Sequence, residues 1–526
     1  MPSTSINRAR PRRSPKVLLL LAATFPVWPL LLVSSPVPWS TRVIGGVLWA
    51  LCFYPAWTYF RNPPSQRSPV PFVAVIGLLY AMYYARPLIF GQYNQHWRIR
   101  LDPLTEYNYP AQLALEGWIA LLLGFGFARG FVRRSWADIT GPYDARRLAN
   151  IALILVAAGA ASAALQEFIA IPVLIAGLSR FVAAMGLFGT GLLTMLFVRR
   201  ELPMVKKIAF ICLAALPLLY QVLSGFVAGA LIMAAVIFLS IWVGRKHLSL
   251  RFLASVAVVV ICTLTLKAVV GDYRKIAWIQ GKDLSVADRA QLVVRMTEAR
   301  ISNDGWMATL GAGTFSTTKR SANMDLMADI VRRTPEPIPY WNGGSYLSLV
   351  GLAIPRFLWP DKPTKELGQR FGHRYSILDS DDNRTSFNLP FLVEFYANFG
   401  EIGVILGMFL VGIIYRIIQN VANKPGHDAI TAIAGIVLVL PLLNIESDFS
   451  LTFGGLLMDG LALWYVLRKI QKQVLTVPDE VGRARAASLR GMQRGNGAIR
   501  RGGLTAQNGN TPLAPAGMSR RLGPGG

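Results

Sequence analysis

The stretch Gly351–Pro363, with the sequence GLAIPRFLWPDKP, places two cations in a stiff aromatic frame. Arg356 lies between a proline and the run Phe357-Leu358-Trp359-Pro360, and Lys362 follows shortly after. A guanidinium in a rigid setting can offer bidentate hydrogen bonds to phosphate oxygens. The stretch therefore predicts an anion site in which Arg356 and Lys362 meet a diphosphate and Trp359 stacks on the substrate.

A second stretch, Phe391–Gly403, carries a carboxylate at the start of an apolar helix. The helix begins after Pro390 and is predicted to run for about 30 residues, whereas about 20 are enough to cross a bilayer. Its first turns should therefore project above the hydrocarbon, with Glu394 and Tyr396 at the outer interface and Asn398 one turn further on. A half-buried carboxylate there could act as a general base. The alternative is a helix cap or an ion pair with a loop arginine.

Three further residues outside these stretches are candidates for chemistry. Arg274 directly follows an apolar run, which predicts that it lies at headgroup depth and binds substrate there. Of the four histidines, His247 and His427 fall in segments predicted below to be cytoplasmic. That leaves His96 and His373 for proton transfer on the outer side, although a single loop histidine is more often without a chemical role.

Neither a metal nor a cofactor is predicted. The run Asp379-Ser-Asp-Asp-Asn383 has the oxygen ligands that a divalent cation uses, but such clusters are more often solvated turns, and both interpretations stay open. Walker, Gly-x-Ser-x-Gly and His-Glu-x-x-His motifs do not occur. The three cysteines lie inside apolar runs and form no metal spacing.

The composition is that of an integral membrane protein. Of 526 residues, 53% are hydrophobic and 16% charged, with a mean hydropathy of +0.42. A soluble chain of this size could not cover so much apolar surface. The net charge of +26 does not indicate nucleic-acid binding, because the basic residues cluster at the ends of apolar runs.

The apolar runs predict an all-α, polytopic bundle of about 12 transmembrane helices. The first, Val17–Val33, resembles a signal peptide but contains two prolines and no clear cleavage site, so we interpret it as a retained span. The long run Ile208–Val243 is divided near Ser224-Gly225. The other predicted spans are Val43–Phe60, Val70–Ala85, Pro110–Ala128, Leu148–Phe168, Pro172–Val198, Phe252–Val270, Phe391–Tyr415, Ala429–Leu443 and Leu451–Leu467.

The basic residues predict the orientation of the bundle. With the N-terminus inside, the cytoplasmic segments hold 32 of the chain's 54 Lys and Arg residues, as the positive-inside rule requires. The resulting division is a cytoplasmic N-terminus (1–16), a first bundle of about nine helices (17–270), a large outer loop (271–390), a second bundle of about three helices (391–467) and a basic disordered cytoplasmic tail (468–526).

The outer loop is predicted to contain short helices. Ser285–Arg300 and Ser321–Arg333 each open with a serine at the N-cap position, and Tyr346–Trp359 is too short to span and is interpreted as re-entrant.

Charges inside spans are expensive and therefore functional candidates. An internal ion pair between Arg180 and Asp459 is the structural alternative for two of them, and Lys267 could extend to the interface. The residues concerned are Glu116, Arg180, Lys267, Glu394, Glu401 and Asp459.

The motifs Ile354-Pro-Arg-Phe-Leu-Trp-Pro-Asp-Lys-Pro363 and Glu394-Phe-Tyr-Ala-Asn-Phe-Gly-Glu-Ile-Gly403 resemble those of the O-antigen and exopolysaccharide repeat-unit polymerases, the Wzy type. The resemblance is most specific over residues 340–415. It implies transfer of a growing glycan from undecaprenyl diphosphate to a new lipid-linked repeat unit, at the outer face of the bacterial inner membrane. It also implies metal-free catalysis, with Arg356 and Glu394 at motif positions and Arg274 and His373 matching only by location.

The expected partners are thus an undecaprenyl-diphosphate-linked oligosaccharide and the lipid bilayer, with a chain-length regulator and a flippase as possible protein partners and no nucleic acid. Two other functions stay open. An O-antigen ligase would share the topology and differ in its acceptor. A lipid-linked oligosaccharide flippase would be expected to spread charges through both halves of the bundle and to lack a large outer loop.

Overall fold

The part of the chain that a computed structural model describes comprises residues 22, 24, 37–91, 106–132, 136, 143–168, 173–225, 227–245, 250–279, 284–320, 323–347, 349, 367–382, 386–387 and 389–474. Within it the backbone forms helices, turns and loops and no strand. The predicted all-α class is confirmed.

Helices α1 to α9 form most of the first bundle. They are α1 Trp39–Cys52, α2 Tyr54–Arg61, α3 Phe72–Tyr80, α4 Arg86–Phe90, α5 Asn108–Phe127, α6 Ala145–Phe168, α7 Val173–Val198, α8 Met204–Leu223 and α9 Val227–Arg245. A π-helical turn, Ala81–Ala85, joins α3 to α4. The predicted division of Ile208–Val243 is confirmed, since α8 ends one residue before Ser224.

Helices α10 to α18 form the rest of the described chain. They are α10 Leu250–Ile279, α11 Val286–Asp304, α12 Trp306–Arg320, α13 Asn323–Arg333, α14 Leu367–Arg374, α15 Phe391–Ala422, α16 Ala429–Val439, α17 Phe449–Phe453 and α18 Leu456–Val474. The predicted N-cap at Ser285 is confirmed, because its hydroxyl and the Asp288 carboxylate form a capping box.

Ten of the described helices or helix pairs are long and apolar enough to cross a membrane, and Ala429–Leu443 is a shorter apolar helix. The protein is therefore a multi-pass membrane protein. The predicted span Val17–Val33 lies outside the described residues, apart from residues 22 and 24, and the tail from residue 475 also lies outside them. The ten are α1–α2, α3–α4, α5, α6, α7, α8, α9, α10, α15 and α17–α18.

Hydrogen bonds between loops show which helix ends share a side. At one end Asn423 bonds both backbone atoms of Val70, and the Trp136 amide donates to the Val421 carbonyl. These residues belong to, or directly adjoin, segments that the basic residues predict to be cytoplasmic. At the other end the Phe391 amide donates to the Ser447 carbonyl. The segments predicted to be cytoplasmic and those predicted to lie outside therefore meet opposite ends of α15.

The helix that contains the predicted span Phe252–Val270 extends beyond Gly271, the first residue of the predicted outer loop. α10 continues to Ile279, and its polar turn is stabilised by a Lys275–Asp272 contact of 3.0 Å. The unpredicted α12 then packs along α10, where a Cβ on Gly313 would lie 1.8 Å from the Leu264 carbonyl oxygen. Small residues permit such close helix contacts. Part of the loop thus lies against the middle of a spanning helix.

α15 is two helices joined by a sharp break. Phe399 and Gly400 leave helical geometry, and Gly400 has a φ of +64°. The positive φ favours glycine at this position, and a Cβ there would also lie 2.8 Å from the Tyr340 hydroxyl oxygen, so a larger residue would have to displace that side chain. Below the break, α15 packs on α5 so closely that a Cβ on Gly412 would lie 2.1 Å from the Leu121 carbonyl oxygen. The piece above the break can therefore contact the outer loop, while the piece below it packs in the helix bundle.

The orientation is testable with an impermeant thiol reagent on intact cells. Glu336 and Gln66 are both exposed and lie at opposite ends of the bundle. In a chain whose three cysteines are replaced, we expect Glu336→Cys to be labelled from outside and Gln66→Cys only after the membrane is opened. Labelling of both, or of neither, in intact cells would contradict the predicted topology.

Candidate functional site

The upper piece of α15 places Glu394 and Asn398 on one face, one helical turn apart. The helix begins at Phe391 after Pro390, as predicted, and the break at Phe399–Gly400 ends this piece after two turns. Every residue from Phe391 to Asn398 is buried. The site is therefore a short, fully covered helix beneath the outer loop.

Glu394 is enclosed, although the sequence predicted a half-buried position. Its side chain is 0% exposed. The Ser345 hydroxyl donates to Oε1 at 2.5 Å, and the Phe449 amide donates to Oε2 at 2.7 Å. The burial arises because the loop around Ser345 and the turn before α17 both fold over the helix. Each carboxylate oxygen thus has a donor, as a buried carboxylate requires.

Asn398 binds the loop to the helix with all of its polar atoms. Its side-chain amide donates to the Ser345 hydroxyl oxygen and to the Glu394 carbonyl, both at 2.8 Å, and its side-chain oxygen accepts from the Gly343 amide at 2.9 Å. The Trp341 amide adds a bond to the Ala397 carbonyl at 2.9 Å. Asn398 was predicted to contact substrate, but in this arrangement it positions the loop.

Tyr396 points into a second set of contacts on the same loop. Its hydroxyl donates to the Thr334 carbonyl at 3.2 Å, and its ring lies 6.3 Å from that of Tyr340. The Thr334 hydroxyl in turn bonds the Tyr375 hydroxyl at 2.7 Å. Burial raises the pKa of Tyr375, so this hydroxyl stays protonated and able to donate. Tyr396, predicted to bind substrate, joins the loop to the end of α14.

His373 lies on α14 and is partly exposed. Its neighbour Arg374 donates to the Pro339 carbonyl at 2.6 Å and lies 5.3 Å above the ring of Trp341. Because Trp341 is bonded to α15, these contacts hold the helix of His373 against the loop that covers Glu394. The structure thus places α14 and the start of α15 in one assembly. The loop that covers Glu394 connects them by contacting both helices.

Arg274 occupies a different part of the outer end. Its Nε and Nη2 donate to the Gly225 carbonyl at 3.1 and 2.7 Å. This is the turn between α8 and α9, so the guanidinium binds the backbone of that turn. The contact gives Arg274 a structural role that its position in the sequence did not predict.

Three predicted site residues, Arg356, Trp359 and Lys362, lie outside the described residues, as does most of the predicted re-entrant segment. The side chain of Arg180, predicted to pair with Asp459, also lies outside the described part of the chain. The acidic run has the form of a turn, with the Asp382 amide donating to the Asp379 carbonyl at 3.0 Å. Among the described residues no three His, Cys, Asp or Glu side chains converge as a metal site.

Ser345 is the site residue that sequence analysis missed. It is 1% exposed and contacts both Glu394 and Asn398. The only local signal was its place after Gly343-Gly344, which predicts a turn. A turn signal does not predict hydrogen bonds to Glu394 and Asn398, which lie 49 and 53 residues further along the chain.

The comparisons with known proteins give a family and no function. Residues 110–426 match a family model described as a domain of unknown function, DUF8712. The chain belongs to the DUF8712 family. The matched range begins in α5 and includes α14, the covering loop and all of α15, so the site lies almost wholly within the family's domain. No curated protein and no solved structure matches the chain.

The site can be tested by separating the charge of Glu394 from its shape. Glu394→Ala would leave the Ser345 hydroxyl and the Phe449 amide unpaired, at about 1–3 kcal/mol of stability for each. In Glu394→Gln the side-chain oxygen can accept from Phe449 and the side-chain amide can donate to Ser345, so we expect a much smaller loss. Thermal unfolding of the purified protein measures both.

Glu401→Ala is the matched control, because this carboxylate lies on the same helix but is exposed. We expect it to change the unfolding temperature little. If Glu394→Ala were as stable as Glu401→Ala, the described contacts of Glu394 would not stabilise the fold.

Proposed function

We propose that the protein polymerises lipid-linked oligosaccharide repeat units. In this function it transfers a growing glycan from undecaprenyl diphosphate to a new repeat unit at the outer face of the inner membrane. The product would be an O-antigen or exopolysaccharide.

The observation that carries the proposal is the contact between Ser345 and Glu394. The second motif of the polymerase resemblance begins at Glu394, and Ser345 lies nine residues before Ile354, where the first motif, which contains Arg356, begins. The hydrogen bond of 2.5 Å between Ser345 and Glu394 ties the chain that leads toward the first motif to the start of the second. This contact supports a function that uses both motifs at the same end of the bundle.

The location of the proposed site supports a lipid-linked donor. The site lies at the end opposite to Asn423 and Val70, where the cytoplasmic segments are predicted. A lipid diphosphate is anchored in the membrane and can reach that end from the bilayer.

In the proposed reaction a hydroxyl oxygen of the acceptor sugar attacks the anomeric carbon of the growing glycan. The bond between that carbon and the phosphate oxygen breaks, and undecaprenyl diphosphate leaves with the electron pair. Arg356 stabilises the negative charge that develops on the diphosphate. The hydroxyl proton passes to a base, for which sequence analysis proposed Glu394 or His373.

The burial of the two candidates favours His373 as that base. An acceptor hydroxyl can reach a partly exposed imidazole on α14, whereas Glu394 is covered by Ser345 and holds two donors already. In the proposed mechanism Glu394 is accordingly a positioning residue that fixes the loop before Arg356.

A strain without the protein should lose long polysaccharide but still export single repeat units. On complementation, Arg356→Ala should lower the rate of polymerisation by about 10²–10³. Arg356→Lys should recover only part of it, because the bidentate fork is absent. His373→Gln should also lose activity, whereas Glu394→Gln should retain most of it. Gel analysis of the surface polysaccharide measures each strain.

Arg370→Ala is the matched control, since Arg370 is an exposed arginine on α14. Full polymer from Arg356→Ala would overturn the role of Arg356. Unflipped repeat units on the inner leaflet of the null strain would favour a flippase instead. Polymer that is made but not attached to lipid A-core would favour a ligase.

A further inference from the structure

A cavity of about 410 Å³ opens at the end of the bundle opposite to Glu394. It lies between the connection from α2 to α3, the end of α5 and the end of α15. Asn423, 1% exposed, fixes this arrangement by bonding the Val70 amide at 3.0 Å and the Val70 carbonyl at 2.7 Å. The side chain of Gln419 bonds both the side chain and the carbonyl of Asn423, at 2.9 Å each. The cavity is therefore built by specific contacts between segments.

The cavity is lined by four cations. Arg67, Arg129, Arg416 and Lys424 all contribute to it, and no Asp or Glu is among the described residues that line it. Arg67 is engaged, because it donates to the Asn62 and Phe60 carbonyls at 2.9 Å. Four positive charges around one cavity repel each other, and a bound anion would reduce that repulsion.

Arg416 shows the strongest need for a ligand. Its guanidinium lies 4.9 Å from the centre of the Phe125 ring, and its Nε is buried without a hydrogen-bond acceptor among the described residues. A buried donor without an acceptor is costly and uncommon in native structures. An anion in the cavity would supply the missing negative charge beside this guanidinium.

The walls of the cavity are divided by polarity. Leu122 and Phe125 provide apolar surface on the side of the spanning helices, whereas Arg129 and Lys424 are exposed at the rim. A soluble anion would use only the charged part. A lipid with a phosphate headgroup would use both parts, because its glycerol and acyl carbons would contact the aromatic wall.

We propose that this cavity binds a phosphate-bearing anion, with the headgroup of an anionic membrane lipid as the source that the apolar wall favours. The site is independent of the proposed polymerase function, because it shares no residue with the Glu394 assembly and lies at the other end of α15.

The test uses the full chain, reconstituted in phosphatidylcholine nanodiscs and titrated with phosphatidylglycerol, with binding followed by native mass spectrometry. A basic residue close to a lipid headgroup contributes about fivefold to affinity. We expect Arg416→Gln and Arg129→Gln each to weaken phosphatidylglycerol binding by about that factor, and the double variant by about 25-fold.

Arg61→Gln is the matched control, because Arg61 is exposed at the same end but does not line the cavity. It should change the affinity less than twofold. Lys424→Gln is a second cavity variant at an exposed position, which guards against misfolding of the Arg416 variant. Thermal unfolding in phosphatidylcholine alone checks that each variant is folded.

A competition arm identifies the source of the phosphate. If inorganic phosphate at millimolar concentration does not displace phosphatidylglycerol, the ligand is the lipid. If phosphate displaces the lipid, and the cavity variants abolish that displacement, the ligand is a soluble phosphate compound. Equal weakening by Arg61→Gln and Arg416→Gln, or equal affinity for phosphatidylcholine, would overturn the proposal.

Discussion

The burial of one carboxylate determines how the outer end of this protein is assembled. Glu394 has no exposed surface, so both of its oxygens need donors from within the chain. Ser345 lies 49 residues before it and Phe449 lies 55 residues after it. The loop, α15 and the turn before α17 therefore depend on one another for their hydrogen bonds. Asn398 belongs to the same network. A partly formed version would leave buried polar groups unpaired.

Hydropathy predicted the helical spans well because membrane insertion depends on that property, whereas the orientation inferred from the basic residues stays a prediction. The α8–α9 division and the Ser285 cap followed from local residue types. The predictions fail where a polar segment is nevertheless helical. α10 continues through Gly271 as a polar helix, and α12 packs on α10 although its sequence is too polar to resemble a span. The break in α15 was missed because Phe399-Gly400 lies within a run that is otherwise suited to a continuous helix.

The site was predictable only as far as its motifs extended. Glu394 and Asn398 were recognised because they adjoin an apolar helix, but their burial depends on Ser345, whose partners are distant in sequence. For Arg274 the sequence indicated the depth in the membrane and not the partner, which is the Gly225 carbonyl. The basic cavity at the other end was hidden for the same reason. Arg67, Arg129 and Arg416 were counted as ordinary cytoplasmic charges until the fold placed them around one space.

The break in α15 also changes what the membrane must accept during synthesis. The piece below Gly400, Glu401–Ala422, has 22 residues, which at 1.5 Å per residue gives about 33 Å and is enough to cross the hydrocarbon core unaided. The eight residues from Phe391 to Asn398 need not enter lipid at all. Insertion of a carboxylate at the centre of a span costs about 2.5–3.5 kcal/mol. Glu394 stands in the first turn of a helix that is longer than the bilayer requires, so it can be retained without that penalty, and the translocation machinery need insert only the apolar piece below Gly400.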